Sequence, residues 1–384
     1  MENSLFVIFE KLEDPRDNRG KKYRLIDVIM LALYGTLMGF EDFTNMAYYL
    51  KKRETELVEE LGLENGVPSH DTFSAVFRVI DVKKFMKLFI EWTKSLVQLK
   101  NGMHVAIDGK AVRAATKKAE NGNIPYVLNA FLCGVGITLG QKMIDTKKNE
   151  ISEIPKLLDL IDIEGCVVTI DAIGTQKVIM DKICEKNGQF CLQLKRNHPE
   201  YYDRVQLYFD NLTKDEMEQM SVSVSTQKDH GRIEKRKYVV CSDEGIVANL
   251  LDNTRWKHVK AIGMAELKRT VNGETTYEKH FHVLSFVTTA DTYATYARSH
   301  WEIENNLHWV LDIHFNEDRC TANSDNAIAN LSLLRKIAFN LTKLDPSMAK
   351  KTTKKKMIDF MLDISVFKNM IFNVLPTVDA DIIR

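Results

Sequence analysis

The stretch His104-Val-Ala-Ile-Asp-Gly-Lys110 decides the fold of this 384-residue chain. Its apolar residues predict a buried strand that ends at Gly109, directly after an acid, Asp108. A second stretch, Cys166-Val-Val-Thr-Ile-Asp171, repeats this pattern with Asp171 at its end. An acid at the end of a buried strand is costly to ionise unless a cation or a hydrogen-bond donor meets it. The two stretches therefore predict neighbouring strands that carry acids toward a common site.

A third acid, Glu304, lies between Tyr296 and Asp312, in a segment whose pattern predicts a helix. Phosphodiester chemistry uses two divalent ions about 3.5–4 Å apart, which clamp the attacking and leaving oxygens. Such hard ions take oxygen ligands, so Asp and Glu hold them rather than His or Cys. We predict that Asp108, Asp171 and Glu304 are catalytic and bind two Mg²⁺ or Mn²⁺ ions. For any one of these acids alone, capping of the following turn is the commoner role.

Two alternatives concern the predicted helix. Its residues His300, Glu304, His308 and Asp312 recur at every fourth position, so on a helix they share one face. That face could hold zinc, although the chain has no His-Glu-x-x-His motif. Glu302 is the alternative to Glu304, but an offset of two residues turns its side chain toward another face of the helix.

The order of the predicted elements indicates an α/β fold. Residues 24–98 have helical patterns, with an N-cap at Ser69 or Asp71. After Gly102, three strand-like runs are followed by helix, strand, helix and strand, the order of an RNase H-like mixed sheet flanked by helices. The predicted domains are an all-helical N-terminal domain (1–98), the first part of the RNase H-like catalytic core (99–196), a mostly β insertion (197–284), and the final part of the core with the helix of Glu304 and a basic C-terminal tail (285–384).

The composition is that of a folded protein, with 45% hydrophobic and 28% charged residues. Because 53 basic and 53 acidic residues balance, a DNA-binding protein of this composition must segregate its charges. Six cysteines without a Cys-x-x-Cys pair indicate reduced thiols rather than a zinc or disulfide framework. The longest apolar stretch, 28–40, is shorter than the roughly 20 residues that span a membrane. We expect a cytoplasmic protein with no membrane partner.

Basic residues near the acids and in the insertion are candidate DNA contacts. Arg232 and Arg236 would lie on one side of a possible strand and Lys235 on the other. Such a stripe suits phosphate contacts, and a solvated edge strand protected by charge is the alternative. A second basic cluster, 335–356, has eight Lys or Arg residues and a single acid. The candidate DNA-binding residues are Lys110, Arg113, Arg232, Lys235, Arg236, Arg298, His300 and His308.

Short motifs occur along nearly the whole chain. They are Asp14-Pro-Arg-Asp17, Pro68-Ser-His-Asp-Thr-Phe73, Ile107-Asp-Gly-Lys110, Asn149-Glu-Ile151, Val168-Thr-Ile-Asp-Ala172, His230-Gly-Arg-Ile-Glu234, His300-Trp-Glu-Ile-Glu-Asn305, Leu307-His-Trp309 and Asn316-Glu-Asp318. In these motifs the chain resembles bacterial insertion-sequence transposases of the DDE type, in the H-repeat-associated group. The resemblance implies an RNase H-like catalytic domain, Mg²⁺ dependence, DNA strand transfer and a helical N-terminal domain. It places the catalytic triad on Asp108, Asp171 and Glu304.

The chain departs from the pattern of related transposases around Glu304. In the related tyrosine–arginine–glutamate–lysine signature, His300 stands at the arginine position and Leu311 at the lysine position. His300, Arg298 or His308 is therefore the candidate for steadying the phosphate.

We expect a transposase that cuts double-stranded DNA at insertion-sequence ends and joins the freed 3′-hydroxyl to target DNA. It would act as a homo-oligomer on DNA and be nucleoid-associated when bound. An RNase H-like nuclease that only hydrolyses DNA, or a catalytically inactive DNA-binding descendant of a transposase, is the alternative.

Overall fold

The computed structural model describes residues 3–113, 125–144, 149–229, 231–252, 256–320, 322, 324–344 and 349–377. The chain divides into two compact units, one formed by residues 1–98, 109–149 and 303–384 and the other by residues 99–108 and 150–302. The division falls within a strand, His104–Ala111 (β1), which is part of both units.

The described N-terminal part of the chain is helical, as predicted. Its helices are Leu5–Glu10 (α1), Leu25–Leu37 (α2), Phe43–Lys52 (α3), Glu54–Leu61 (α4), His70–Val79 (α5) and Val82–Leu96 (α6). All 13 residues of α2 are buried, which suits a helix that is apolar around its whole circumference. Helix α5 begins after Ser69, whose hydroxyl accepts a hydrogen bond from Thr72 N. Ser69 is one of the two predicted N-caps.

The strands form one mixed sheet. Besides β1, the strands are Tyr126–Leu132 (β2), Ile137–Ile144 (β3), Val167–Ile170 (β4), Gln189–Leu194 (β5), Ser221–Asp229 (β6), Arg232–Cys241 (β7), Ala261–Val271 (β8) and Glu274–Leu284 (β9). In the described residues their order is β3-β2-β1-β4-β5-β9-β8-β7-β6. Strand β4 pairs in parallel with β1 and β5, whereas β5, β9, β8, β7 and β6 pair antiparallel in succession.

Helices connect and cover these strands. They are Glu150–Leu160 (α7), Lys177–Glu185 (α8), Pro199–Asp210 (α9), Lys214–Glu218 (α10), Glu244–Leu250 (α11), Ala290–Ser299 (α12), Trp309–Ile313 (α13), Asp325–Leu344 (α14), Thr353–Leu362 (α15) and Ile364–Phe372 (α16), with a π-helix at Ile303–His308. The predicted α/β class, a mixed sheet flanked by helices after a helical N-terminal region, is confirmed. In the described part of the chain, no helix is long and apolar enough to cross a bilayer.

The predicted β insertion continues the sheet beyond β5. Strands β9, β8, β7 and β6 extend it in that order, and β6 was not predicted from the sequence. Its alternation is limited to Val222 and Val224, and all of its residues are exposed or half-buried, so the sequence carries only a weak strand signal there. The alternative that residues 232–237 form an edge strand is wrong, because β7 has a hydrogen-bonded neighbour on each side.

The predicted basic C-terminal tail begins inside a buried helix. Arg335 and Lys336 lie on α14, and both side chains are buried. Lys356 is buried as well and donates a hydrogen bond to Thr342 O. These three cations are therefore not surface contacts for DNA, which corrects part of the prediction for residues 335–356. Lys350, Lys351, Lys354 and Lys355 are exposed.

Helix α14 also hydrogen-bonds to β3, the strand at one edge of the sheet. The side chain of Asn340 accepts a hydrogen bond from Thr138 N and donates one to Thr138 O, each at 2.8 Å. Asn340 is fully buried. An edge strand presents unpaired N–H and C=O groups, and a single amide side chain satisfies both groups of Thr138 here.

Replacement of this amide should loosen the edge of the sheet. Because Asn340→Leu leaves a buried donor and a buried acceptor of Thr138 unpaired, we expect the free energy of unfolding to fall by about 2–4 kcal/mol. Asn326→Leu makes the same substitution at an exposed position of α14 and should change stability little. Chemical denaturation of both variants measures the difference. Equal stabilities would contradict a stabilising role of the Asn340–Thr138 hydrogen bonds.

Candidate active site

Two of the three predicted catalytic acids follow paired residues of adjacent strands. In the parallel pair β1–β4, Ile107 is in register with Ile170, so Asp108 and Asp171 come next along the chain. Asp171 directly follows β4, whereas Asp108 lies inside β1, which continues to Ala111 rather than ending at Gly109 as predicted. Asp171 Oδ1 accepts a hydrogen bond from Ile173 N at 3.1 Å. This is the turn-capping role that a strand-end acid often has, and it uses one carboxylate oxygen.

The third acid lies on a π-helix rather than on the regular α-helix that was predicted. Glu304 belongs to the π-helix Ile303–His308, which α13 follows directly. A π-helix forms i→i+5 hydrogen bonds and occurs mainly as short segments, frequently at functional sites. The widened turn interrupts the regular spacing by which His300, Glu304, His308 and Asp312 would have shared one face.

His308 orients the carboxylate of Glu304. Its Nδ1 lies 3.2 Å from Glu304 Oε2, and its Nε2 lies 3.2 Å from Asn129 Nδ2. The same Asn129 Nδ2 donates to Val127 O at 3.2 Å, which establishes it as the amide nitrogen. Because an amide nitrogen only donates, Nε2 of His308 accepts, and the ring proton lies on Nδ1. His308 therefore donates to Glu304 through Nδ1.

The three acids are candidates to hold metal ions. Asp108, Asp171 and Glu304 supply the oxygen ligands that Mg²⁺ and Mn²⁺ prefer, so the chemistry of these residues fits a divalent ion. His308 had been considered as a DNA contact and as part of the zinc alternative, and its contact with Glu304 was not predicted.

The zinc alternative requires His300 and Asp312 as well, and each has a different partner. His300 Nδ1 lies 2.8 Å from Thr169 Oγ1, whose second partner is His104 Nε2 at 2.7 Å. Asp312 lies 2.6 Å from Lys110 Nζ. The four-residue set is therefore not assembled as a metal site. Leu311, at the lysine position of the signature, is fully buried in the core.

Lys110 is bound within the protein, which corrects its prediction as a DNA contact. Its Nζ lies 2.6 Å from Asp312, 3.1 Å from Asp318 and 3.4 Å from Glu317, and the side chain is only 8% exposed. The nearby Arg113 is 82% exposed and lies at the outer limit of an ion pair with Asp318, at 4.0 Å. Arg113 thus remains available to a ligand, whereas Lys110 holds strand β1 to α13 and to the segment after it.

The centre of this network is a buried ion pair that sequence reasoning missed. Glu317 and Lys336 are 1% and 0% exposed, and their charged atoms lie 3.2 Å apart. Ser332 Oγ donates to Glu317 at 2.8 Å and accepts from Lys336 at 2.8 Å. Burial alone raises the pKa of Glu317, but nearby cations, first Lys336 and then Lys110, hold that pKa well below the usual range. Burial lowers the pKa of Lys336 to about 8, although Glu317 opposes this shift.

The predicted DNA contacts of the insertion have different surroundings. Arg232 and Arg236 both form ion pairs with Glu234, at 2.9 Å for Arg232. Arg298 donates to Gln227 at 3.0 Å and is exposed. Lys235 is exposed and points to the other face of β7. His230 lies outside the described residues.

Comparison with known families covers most of the chain. The family model described as Transposase DDE domain matches residues 100–341, and the model described as DDE_Tnp_1-associated matches residues 6–93. Asp108, Asp171 and Glu304 all lie within the first of these matches.

Individual relatives come from several bacteria. The chain is 32% identical over 325 residues to the protein YbfL of Escherichia coli (strain K12), covering 83% of this chain and 85% of the relative. It is 31% identical over 335 residues to YhhI of the same strain, an H repeat-associated protein whose name describes it provisionally as a transposase, covering 86% and 88%. It is 35% identical over 282 residues to an uncharacterized Xanthobacter autotrophicus protein, covering 72% and 92%.

Among solved structures, the chain is similar to piggyBac transposase in a cryo-EM structure of its synaptic complex with hairpin DNA. The TM-score is 0.45 at 10% identity, covering 98% of this chain and 80% of the piggyBac chain.

Loss of one partner of the buried pair should destabilise the protein strongly. Lys336→Met leaves Glu317 charged and short of a partner, so we expect the free energy of unfolding to fall by about 3–5 kcal/mol. The double variant Glu317→Gln/Lys336→Met removes both charges and should recover most of this loss. Lys351→Met removes a lysine that is 44% exposed and pairs with Asp359, and it should cost less than about 1 kcal/mol. Denaturant titrations of the three variants test this, and a double variant no more stable than Lys336→Met would contradict the coupling.

Proposed function

Because the chain belongs to the Transposase DDE domain family of bacterial insertion-sequence transposases, we propose that it cleaves DNA at insertion-sequence ends and joins the freed 3′-hydroxyl to target DNA. The observation that carries this proposal is the β1–β4 register, which puts Asp108 and Asp171 directly after paired residues of adjacent parallel strands. Acids so placed can share a divalent ion, and phosphodiester transfer needs such ions.

In this proposal each residue of the site has its own task. Asp108, Asp171 and Glu304 hold two Mg²⁺ or Mn²⁺ ions, and His308 keeps the Glu304 carboxylate in one orientation. When bound, the ions would neutralise charge on the phosphate and activate the attacking hydroxyl. Support for the role of His308 comes from its fixed tautomer, since a histidine that donates to a carboxylate orients it as partners outside a metal's ligand shell do.

The partner in this proposal is double-stranded DNA, both at element ends and at the target. Arg113 is exposed and is the candidate to contact phosphates near the acids. We further propose that the protein acts as a homo-oligomer on DNA, in the cytoplasm where bacterial DNA lies.

The triad has a direct test. Asp108→Asn, Asp171→Asn and Glu304→Gln preserve the shape of each side chain but weaken metal binding, so each should reduce cleavage and joining to about 1% of the wild-type rate or less. DNA affinity should change little, because it depends mainly on Lys and Arg contacts to phosphate. Purified protein, Mg²⁺ and labelled DNA with the element ends measure both products.

Glu302→Gln is the matched control for Glu304→Gln, two residues away on the same segment. Wild-type activity in Glu304→Gln together with loss in Glu302→Gln would transfer the role to Glu302. Cleaved but never joined products from wild-type protein would favour a hydrolytic nuclease over a transposase.

The metal preference provides a separate test. Mg²⁺ and Mn²⁺ should both support activity, whereas Ca²⁺ should bind with little turnover, because it accepts larger and looser oxygen shells than Mg²⁺. Activity is measured after removal of metals with a chelator and addition of one ion at a time. Full activity with Zn²⁺ and none with Mg²⁺ would contradict the oxygen-ligand site.

A further inference from the structure

Strands β6–β9 form an antiparallel sheet whose outer halves have two chemically different faces. Lys235 of β7 lies directly opposite Lys268 of β8, and Lys268 lies opposite Tyr277 of β9. Because side chains alternate along a strand, register and parity assign every residue to a face. We name as the lysine face the side that carries Lys228, Lys235, Lys237, Lys268 and Lys279, with Glu266 as the acid in the same rows.

Most cations of the lysine face have no acidic partner. Lys279 pairs with Asp210 at 2.7 Å. Within the described residues, none of the other four lysines has a carboxylate within ion-pair distance, 4.0 Å. Lys268 Nζ instead lies 5.1 Å from the ring centroid of the exposed Tyr277. Glu266 lies opposite Lys237 and Lys279 in the register, and Asp210 pairs with Lys279, so five lysines against two acids leave this face with excess positive charge.

The opposite face is different, because its arginines surround an acid. Glu234 is buried and forms ion pairs with Arg232 at 2.9 Å, with Arg269 at 3.7 Å and with Arg236. By the same parity, this face carries three further acids, namely Asp229, Glu274 and Glu278. We name it the arginine face. Arg298 of α12 also reaches this face, where it donates to Gln227. Four acids against four arginines leave the face without excess positive charge, so it is the poorer surface for a polyanion.

The lysine pair at the centre of the lysine face has an energetic cost. Like charges directly opposite each other on neighbouring strands destabilise a sheet, and Lys235 and Lys268 occupy such a pair. Lys237 lies two residues along the same face of β7 and has Glu266 opposite it, so the unfavourable pair is the one between Lys235 and Lys268. A ligand with closely spaced negative charges would remove this cost, and duplex DNA has one phosphate charge per about 1.7 Å of its axis.

We propose that the lysine face of β6–β9 binds the phosphate backbone of duplex DNA, and that the arginine face does not. The inference rests on the proposed function for its choice of partner. It also refines the sequence-based prediction, which grouped Arg232, Arg236 and Lys235 as one DNA-binding stripe.

Two variants with equal charge changes on the same two strands test the proposal. Lys235→Gln/Lys268→Gln alters the lysine face, and Arg232→Gln/Arg269→Gln alters the arginine face. The affinity for a duplex of fixed sequence is measured by titration at several salt concentrations. Each phosphate contact contributes about 0.9 to the slope of log affinity against log salt. We expect the lysine variant to lose roughly 1–2 in slope and the arginine variant to keep the wild-type slope.

Thermal unfolding separates loss of binding from loss of folding. Because the lysine variant removes a like-charge pair, its midpoint should equal or exceed that of the wild type. Lys228→Gln, a single exposed change on β6, provides a second variant and should reduce the slope by about 0.9. Equal slope changes for the two faces, or no change for the lysine variants, would overturn the proposal.

The outcome is independent of catalysis. Wild-type protein that neither cuts nor joins DNA with Mg²⁺ would contradict the proposed function, while the comparison of salt slopes would still decide which face binds the duplex.

Discussion

A charged or polar group that leaves water needs a partner, because an unpaired buried charge costs several kcal/mol. Much of the first compact unit is arranged around this requirement. Glu317 is buried together with Lys336 and Lys110, and Ser332 bridges the first two. Lys110 follows Asp108 by two residues on β1, so the network that satisfies buried charges also holds the strand that carries a catalytic candidate. Stability and site geometry thus depend on the same contacts.

The same requirement applies to His308, which is buried beside Glu304. Its Nδ1 donates to the half-exposed Glu304 carboxylate, and its ring is held from the other side by Asn129. Asn129 is anchored in turn to Val127 O, so strand β2 positions a side chain on the π-helix. A flexible acid would sample many orientations, and this chain of hydrogen bonds restricts those of Glu304.

The strands that extend the sheet beyond β5 have a buried part and a polar part. Near β5, the strands of the extension have buried residues, such as Val239, Met264 and Phe281. Farther out, the same strands are polar on both faces, and the ladder hydrogen bonds hold them in register. This register sorts the charges. Arginines collect around the buried Glu234, while lysines face solvent on the other side. A linear stripe of basic residues in the sequence therefore becomes two surfaces with different charge.

The sequence by itself determined the fold class and the helical N-terminal region, and it selected the three acids as candidates, because apolar periodicity and the acids that follow it are local signals. The family resemblance in the motifs added the expectation of a transposase, and the family match supports that expectation. Tertiary structure alone decided which charges meet. Lys110 pairs with Asp312, Glu317 and Asp318, about 200 residues away in the sequence. The π-helix at Glu304, the buried Lys336 and the pairing of Lys235 with Lys268 across β7 and β8 were equally hidden. Each depends on hydrogen-bond register or on long-range burial, and neither quantity is encoded in the spacing of residues along one segment.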